Sequence, residues 1–149
     1  ELGFDAAINY REHRPLVEAL AKHCPNGIDV YFDNVGGEAL EAALDLINLR
    51  ARITVCGMIS GYNDTDLDGH VRTSPRNLMQ LVIKRARMEG FLVLDYWNRA
   101  GEAIEALAKW HQEGRVKYRV HVIEGLKNAP AAMNMLFDGS NRGKLIVKI

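Results

Sequence analysis

Two cysteines, Cys24 and Cys56, are too few for a disulfide framework or a zinc ligand set. Five histidines (His13, His23, His70, His111 and His121) are scattered and show no metal-ligand spacing. Neither sign of charge dominates: nineteen Lys and Arg balance nineteen Asp and Glu, so no global field recruits nucleic acid or an anionic membrane. No apolar run approaches the ~20 residues needed to span a bilayer, and no signal peptide opens the chain. Three common signatures of nucleotide and hydrolase chemistry are missing as well: Gly-x-Gly-x-x-Gly, a Walker A lysine loop, and a Gly-x-Ser-x-Gly elbow. There is no internal repeat, low-complexity tract or linker. A reduced, cytoplasmic setting is therefore expected, without nucleic-acid, membrane or metal partners.

What remains is one domain's worth of chain. Its 149 residues, 48% apolar and 26% charged, suffice to bury roughly two-thirds of the unfolded surface. The organising stretch is residues 28–37, Ile-Asp-Val-Tyr-Phe-Asp-Asn-Val-Gly-Gly. Its β-branched and aromatic run predicts a strand buried on both faces, as in a parallel sheet. The Asp33-Asn34 pair and Gly36-Gly37 then make a polar turn. Leu40, Ala43, Leu44 and Ile47 fall on one face of a helix over 38–47. In open α/β sheets, ligands bind at such turns beyond the carboxyl ends of strands. A turn shaped by glycines for purely structural reasons fits the same residues.

Before this stretch, residues 5–10 read as a strand. Pro15 suits the first turn of a helix through Leu16, Ala19, Leu20 and His23. After it, residues 51–57 read as a strand ending at Gly57, and 58–63 as a glycine-punctuated turn. Residues 64–73 read as a polar surface loop. Ser74 and Pro75 look like the cap and first residue of a helix with Leu78, Leu81 and Val82 as its buried stripe. Lys84, Arg85 and Arg87 suit the helix dipole better than a phosphate. Residues 88–94 should be a strand. A helix over 102–113 carries Ile104, Leu107, Ala108 and His111 and stops at Gly114, with Trp110 packed in a core or interface. Strands at 118–123 and 144–149 flank a helix that Asn128 caps and Gly139 ends. This alternation predicts an α/β fold with a mainly parallel sheet. It has a polar rim of Asn34, Gly36, Gly57, Ser60, Tyr62 and Asn141.

A set of blocks stands in order along the chain: Leu2-Gly3-Phe4-Asp5, residues 31–37, Val55 to Ser60 with Tyr62-Asn63, and Met88-Glu89-Gly90-Phe91. Glu124-Gly125-Leu126 with Asn128-Ala129-Pro130, and Asn141-Arg142-Gly143-Lys144, continue it. Through these blocks nearly the whole chain resembles the carboxyl-terminal half of the zinc-independent medium-chain dehydrogenase/reductase superfamily, in particular its prostaglandin reductase, leukotriene 12-hydroxydehydrogenase and curcumin reductase family. The resemblance implies NADPH as cofactor and reduction of a carbon–carbon double bond conjugated to a carbonyl, in a small-molecule enone. By the family's pattern Tyr10 lies against the adenosine end and Asn34 lines the cofactor groove. Cys56, Gly57, Met58, Ile59, Ser60, Gly61 and Tyr62 wrap the nicotinamide ribose and pyrophosphate side. Backbone of Phe91, Leu92 and Val93 meets the carboxamide, and Asn141 closes over the cofactor. Tyr62 is the expected hydrogen-bond donor to the substrate carbonyl, a ribose or packing contact being its other reading.

The same likeness implies a Rossmann-like sheet lacking its first strands. Residues 1–115 would be a partial dinucleotide-binding domain, and 116–149 a segment returning to the catalytic domain. The chain starts without Met, so an upstream portion carrying the phosphate loop and the 2′-phosphate-reading lysine is expected. The complete protein should be a homodimer, and this chain alone inactive. The loop at 64–70, Asp-Thr-Asp-Leu-Asp-Gly-His, departs from the family's proline-rich loop and leaves the preferred enone open. Two alternatives stand beside this reading: a non-catalytic small-molecule-binding or interaction module of the same fold, and a zinc-dependent alcohol dehydrogenase relative.

Overall fold

The computed structural model describes residues 3–62 and 75–149. The loop at 64–73 and the Ser74 cap lie outside the described residues. The chain forms two compact units, divided between Trp97 and Asn98.

The first unit is an α/β layer built on a three-stranded parallel sheet. Its elements are α1 (Leu16–His23), β1 (Ile28–Asp33), α2 (Gly37–Leu46), β2 (Ile47–Val55), α3 (Met79–Lys84) and β3 (Arg87–Gly90). The strand order is β1-β2-β3. From Val30 onward the β1–β2 register is unbroken, pairing Val30, Tyr31, Phe32 and Asp33 with Arg52, Ile53, Thr54 and Val55. Before it, β2 inserts extra residues, and Arg50 takes a positive φ of 63° there. Ile28, Leu40, Ala43, Leu44, Ile47, Ala51 and Ile53 make one buried cluster, with Leu81 and Ala86 packed against it.

Several expectations need correction. Residues 5–10 form no strand: a strand requires a hydrogen-bonded neighbour, and no described segment pairs with them. Instead, the Glu12 and His13 amides donate to the Asn9 carbonyl at 3.1 and 3.2 Å, turning the chain toward α1. β1 is covered on one face only, and Val30 and Phe32 stay more than half exposed on the other. Ile47 keeps the apolar face expected of it, 1% exposed, but opens β2 rather than closing α2.

Pro75 is not the first residue of α3, which begins at Met79. The residues before it are held to α2: the Arg76 amide donates to Glu41 Oε1 at 3.0 Å, and Asn77 Nδ2 donates to Asp45 Oδ1 at 2.6 Å. With six residues α3 offers the core only Leu81, and Val82 faces solvent. At its end Arg85 Nη1 donates to the Ile83 carbonyl at 2.9 Å, as the dipole argument predicts. β3 ends at Gly90, and a 3₁₀ turn starts at Val93 where a longer strand was expected.

In the second unit α4 (Ala100–Gln112) precedes a βαβ unit of β4 (Val120–Glu124), α5 (Ala129–Asp138) and β5 (Lys144–Lys148). β4 and β5 pair in parallel, from Val120 opposite Lys144 to Glu124 opposite Lys148. Asn128 stands at the N-cap of α5, but its side chain donates backwards to the Glu124 carbonyl at 2.8 Å. Gly139 closes α5 in the left-handed region, φ 74°. Trp110 is partly exposed and carries the Arg115 guanidinium 5.7 Å above its ring.

Candidate active site

The carboxyl ends of β1, β2 and β3 lie side by side because the strands are parallel, so the segments that leave them are neighbours. Asp33, the last residue of β1, is 1% exposed. A buried carboxylate needs donors, and its own turn supplies them. Oδ1 accepts from the Val35 amide at 2.8 Å and the Gly36 amide at 3.0 Å, and Oδ2 lies 3.2 Å from the latter. The Tyr31 hydroxyl donates to Oδ1 at 3.3 Å. Burial pushes the Tyr31 phenol above its ordinary range, and the negative Asp33 beside it adds to the shift. Gly36 supports the turn at φ 69°, ψ −154°, where a side chain would meet Met58.

The next three carbonyls of this turn hold the segment leaving β2. The Asp33 carbonyl accepts from the Cys56 amide at 2.8 Å and the Gly57 amide at 3.2 Å. The Asn34 carbonyl accepts from the Ile59 amide at 3.2 Å. The Val35 carbonyl accepts from the Ser60 amide at 3.0 Å and from Ser60 Oγ at 2.5 Å. A 3₁₀ turn over Ile59–Gly61 then presents Tyr62, which is exposed. The Tyr62 oxygen accepts from the Met58 amide at 3.4 Å, which leaves the phenolic hydrogen to donate elsewhere. Gly57 passes close beneath that oxygen: a Cβ there would lie 3.1 Å from it.

At the end of β3 the Phe91 amide donates to the Val55 carbonyl at 3.2 Å. Its ring meets Phe32 and Tyr96 edge-on, each at 6.0 Å. Leu92 and Val93 are exposed beyond it. Between α1 and the first turn of α2, Tyr10, Arg14, Leu16, Leu20, Tyr31, Val35 and Ser60 line much of a cleft of about 370 Å³. Arg14 pairs with Glu38 there at 2.9 Å.

The structure thus brings together Asn34, Cys56 to Tyr62 and Phe91 to Val93 at one edge of the sheet. Tyr10 shares a cleft with Ser60 of the same turn. Cys56 and Ile59 are exposed, while Gly61 is buried. Asn141 belongs to the second unit, where its side-chain amide donates to the Gly143 carbonyl at 3.0 Å. Sequence reasoning missed Asp33, Tyr31 and the latch from Ser60. An aspartate two and three residues before amides that need acceptors was the available signal. No group of three or more His, Cys, Asp or Glu side chains suited to a metal ion occurs among the described residues.

Comparison with known proteins gives a consistent result. Residues 2–147 match the family model described as zinc-binding dehydrogenase. The 2-alkenal reductase (NADP(+)-dependent) of Nicotiana tabacum is 44% identical over 149 residues, covering 100% of this chain and 42% of that protein. The NADPH-dependent curcumin reductase of Escherichia coli is 38% identical, covering 99% of this chain and 43% of that protein. The crystal structure of CurA from Vibrio vulnificus in complex with NADPH superimposes with a TM-score of 0.84 at 42% identity. That match covers 98% of this chain and 43% of the other. The chain spans about two-fifths of the length of the curated relatives it matches.

Proposed function

The chain belongs to the zinc-binding dehydrogenase family, and on that premise we propose that it is the cofactor-side part of an NADPH-dependent enone reductase. The substrate class is α,β-unsaturated ketones and aldehydes. The observation that carries this reading is the convergence of Asn34, the Cys56–Tyr62 turn and Phe91–Val93 at the carboxyl ends of three parallel strands, the position where open α/β sheets take their ligands. Relatives named as NADP-dependent alkenal and curcumin reductases support the choice of cofactor and reaction.

The residues present fit such a cofactor. Gly57 lets the Tyr62 hydroxyl sit against its backbone, and the Tyr62 phenol keeps its hydrogen for an outside acceptor. When bound, NADPH supplies a hydride for the β-carbon of the enone. Negative charge then develops on the substrate carbonyl oxygen. Tyr62 donates a hydrogen bond to that oxygen, an interaction stronger in the transition state than in the ground state. A proton from solvent, added at the α-carbon, completes the reduction. Asn34 lines the groove, Tyr10 flanks the adenosine end, and the backbone of Phe91, Leu92 and Val93 faces the carboxamide.

In the complete protein, residues 1–115 form the dinucleotide side, 116–149 return to the catalytic domain, and the assembly is a cytoplasmic homodimer. Calorimetric titration of NADPH and then NADH into the complete protein tests the reading. Saturable binding that prefers NADPH, with NADPH consumed on adding an enone, is the expected result. A folded protein that ignores both nucleotides overturns it and leaves the non-catalytic binding module. Tyr62→Phe should lower turnover more than NADPH affinity, whereas equal kinetics for variant and parent would remove the donor role. Metal analysis of the same preparation decides against or for a zinc-dependent relative.

A further inference from the structure

We infer that Asp33 is the positioning residue of the groove, one buried side chain that holds the Asn34–Gly37 turn and the Cys56–Tyr62 turn in a fixed mutual register. The inference rests on the enone-reductase reading for its functional meaning, though its geometry stands alone.

The carbonyls of residues 33, 34 and 35 join the two turns. In succession they accept from the amides of 56 and 57, of 59, and of 60. A carbonyl aims where its backbone dihedrals point it, and here the dihedrals of 34–36 are set by the Asp33 carboxylate. That group draws the Val35 and Gly36 amides inward onto itself at 2.8 to 3.2 Å. The strand end is pinned from the other side by the Tyr31 hydroxyl. Across a trans peptide the carbonyl points opposite to the amide, so turning the Val35 and Gly36 amides inward sends the Asn34 and Val35 carbonyls toward the second segment, and Ser60 Oγ locks the last of them. Asn34 and Tyr62, one on each segment, are thereby placed by the same residue. Neither Ser nor Asn reproduces the arrangement. The Gly36 amide lies within reach of both carboxylate oxygens, and only a carboxylate offers acceptors at both positions. A second effect follows: amides just ahead of α2, which at a helix start would otherwise attract an anion, are already occupied.

The test compares the complete protein with its Asp33→Asn and Tyr31→Phe variants, below their melting transitions, in three measurements. Asp33→Asn should weaken NADPH binding by roughly tenfold and lower kcat for enone reduction, since small displacements of positioning groups carry such costs. Tyr31→Phe should move both in the same direction by less. Amide hydrogen exchange needs no ligand: Ile59 and Ser60 should lose protection selectively while Ile53 keeps its own. A folded Asp33→Asn protein with parental affinity, kcat and exchange, changed only in melting temperature, overturns the inference. If that variant fails to fold, parental behaviour of Tyr31→Phe in all three measurements overturns it instead. Should the parent itself ignore NADPH, the enone-reductase reading fails, and the exchange pattern still decides the role of Asp33.

Discussion

In the first unit Leu40, Ala43, Leu44, Ile47, Ala51 and Ile53 are each at most 2% exposed. In the second, Ala132 is the one hydrophobic side chain among the described residues that is buried to a similar degree. Both units alternate helix and strand, and both use parallel pairing. The difference lies in the number of layers and edges. The central strand β2 has a strand on either side and α2 and α3 against it, so its apolar residues are enclosed. A two-stranded sheet with α4 and α5 beside it in sequence does not enclose a core of that size, and such strand pairs are marginal by themselves. Ile104, Leu107, Leu136 and Phe137 accordingly remain more than half exposed. The same sequence grammar writes both units, but only a flanked strand converts it into a core.

The comparison can be broken most directly in the cores. Leu44→Ala should cost about 3 kcal/mol, as for other buried leucines, whereas Ile146→Ala on half-open β5 should cost under about 1 kcal/mol. The chain has two tryptophans, Trp97 in the first unit and Trp110 in the second. Urea unfolding of the Trp110→Phe and Trp97→Phe variants therefore reads each unit separately. An earlier midpoint for the second unit is expected, and coincident midpoints would erase the contrast.

Next in size is Gly143→Ala. Gly143 sits at φ 80°, and an added Cβ would run into the Arg119 backbone, whose carbonyl accepts from the Lys144 amide at 2.8 Å. A loss of about 2 kcal/mol is expected, confined to the Trp110 transition. A smaller effect separates the units by pH. Tyr31 is held neutral in the fold above its ordinary pKa of 10.0. Its contribution is complete below pH 10 and is lost as the pH rises further, because the unfolded chain then ionises first. Alkaline melts should weaken the first unit, and Tyr31→Phe should abolish that Tyr31-dependent part. The smallest change runs the other way. Gly101, in the first turn of α4, has open space where a Cβ would stand. Gly101→Ala should stabilise the second unit by about 0.5 kcal/mol in the same melts.

Sequence pattern revealed α2, α4, α5 and β5 because each carries its period in residues that packing does not override. It placed Ile47 on the correct face but in the wrong element, since the last turn of a helix and the first pair of a strand share one apolar residue. It read 5–10 as a strand from composition, whereas pairing depends on a neighbour that composition does not report. The turn at 33–37 and the glycine-punctuated turn at 58–63 were legible as turns, and the structure brings their described residues together. The inward carboxylate of Asp33 was not legible, because an aspartate at a strand end reads as punctuation whether it faces water or amides. Tyr10 was singled out only through family resemblance. Its cleft depends on α1 and α2 meeting, and no local pattern contains that.

The extra residues that β2 inserts around Arg50 have a consequence for how this chain tolerates change in length. They lie at the amino end of the sheet, with an uninterrupted ladder from Val30 to Asp33 between them and the groove. A residue gained or lost at 48–50 can be absorbed as a different loop there. The ladder beyond it does not slip, so the backbone facing the groove keeps its alignment. The bulge acts as an expansion joint: variation in sequence length on one side is isolated from geometry on the other. Loop grafting at this end should leave the opposite end undisturbed.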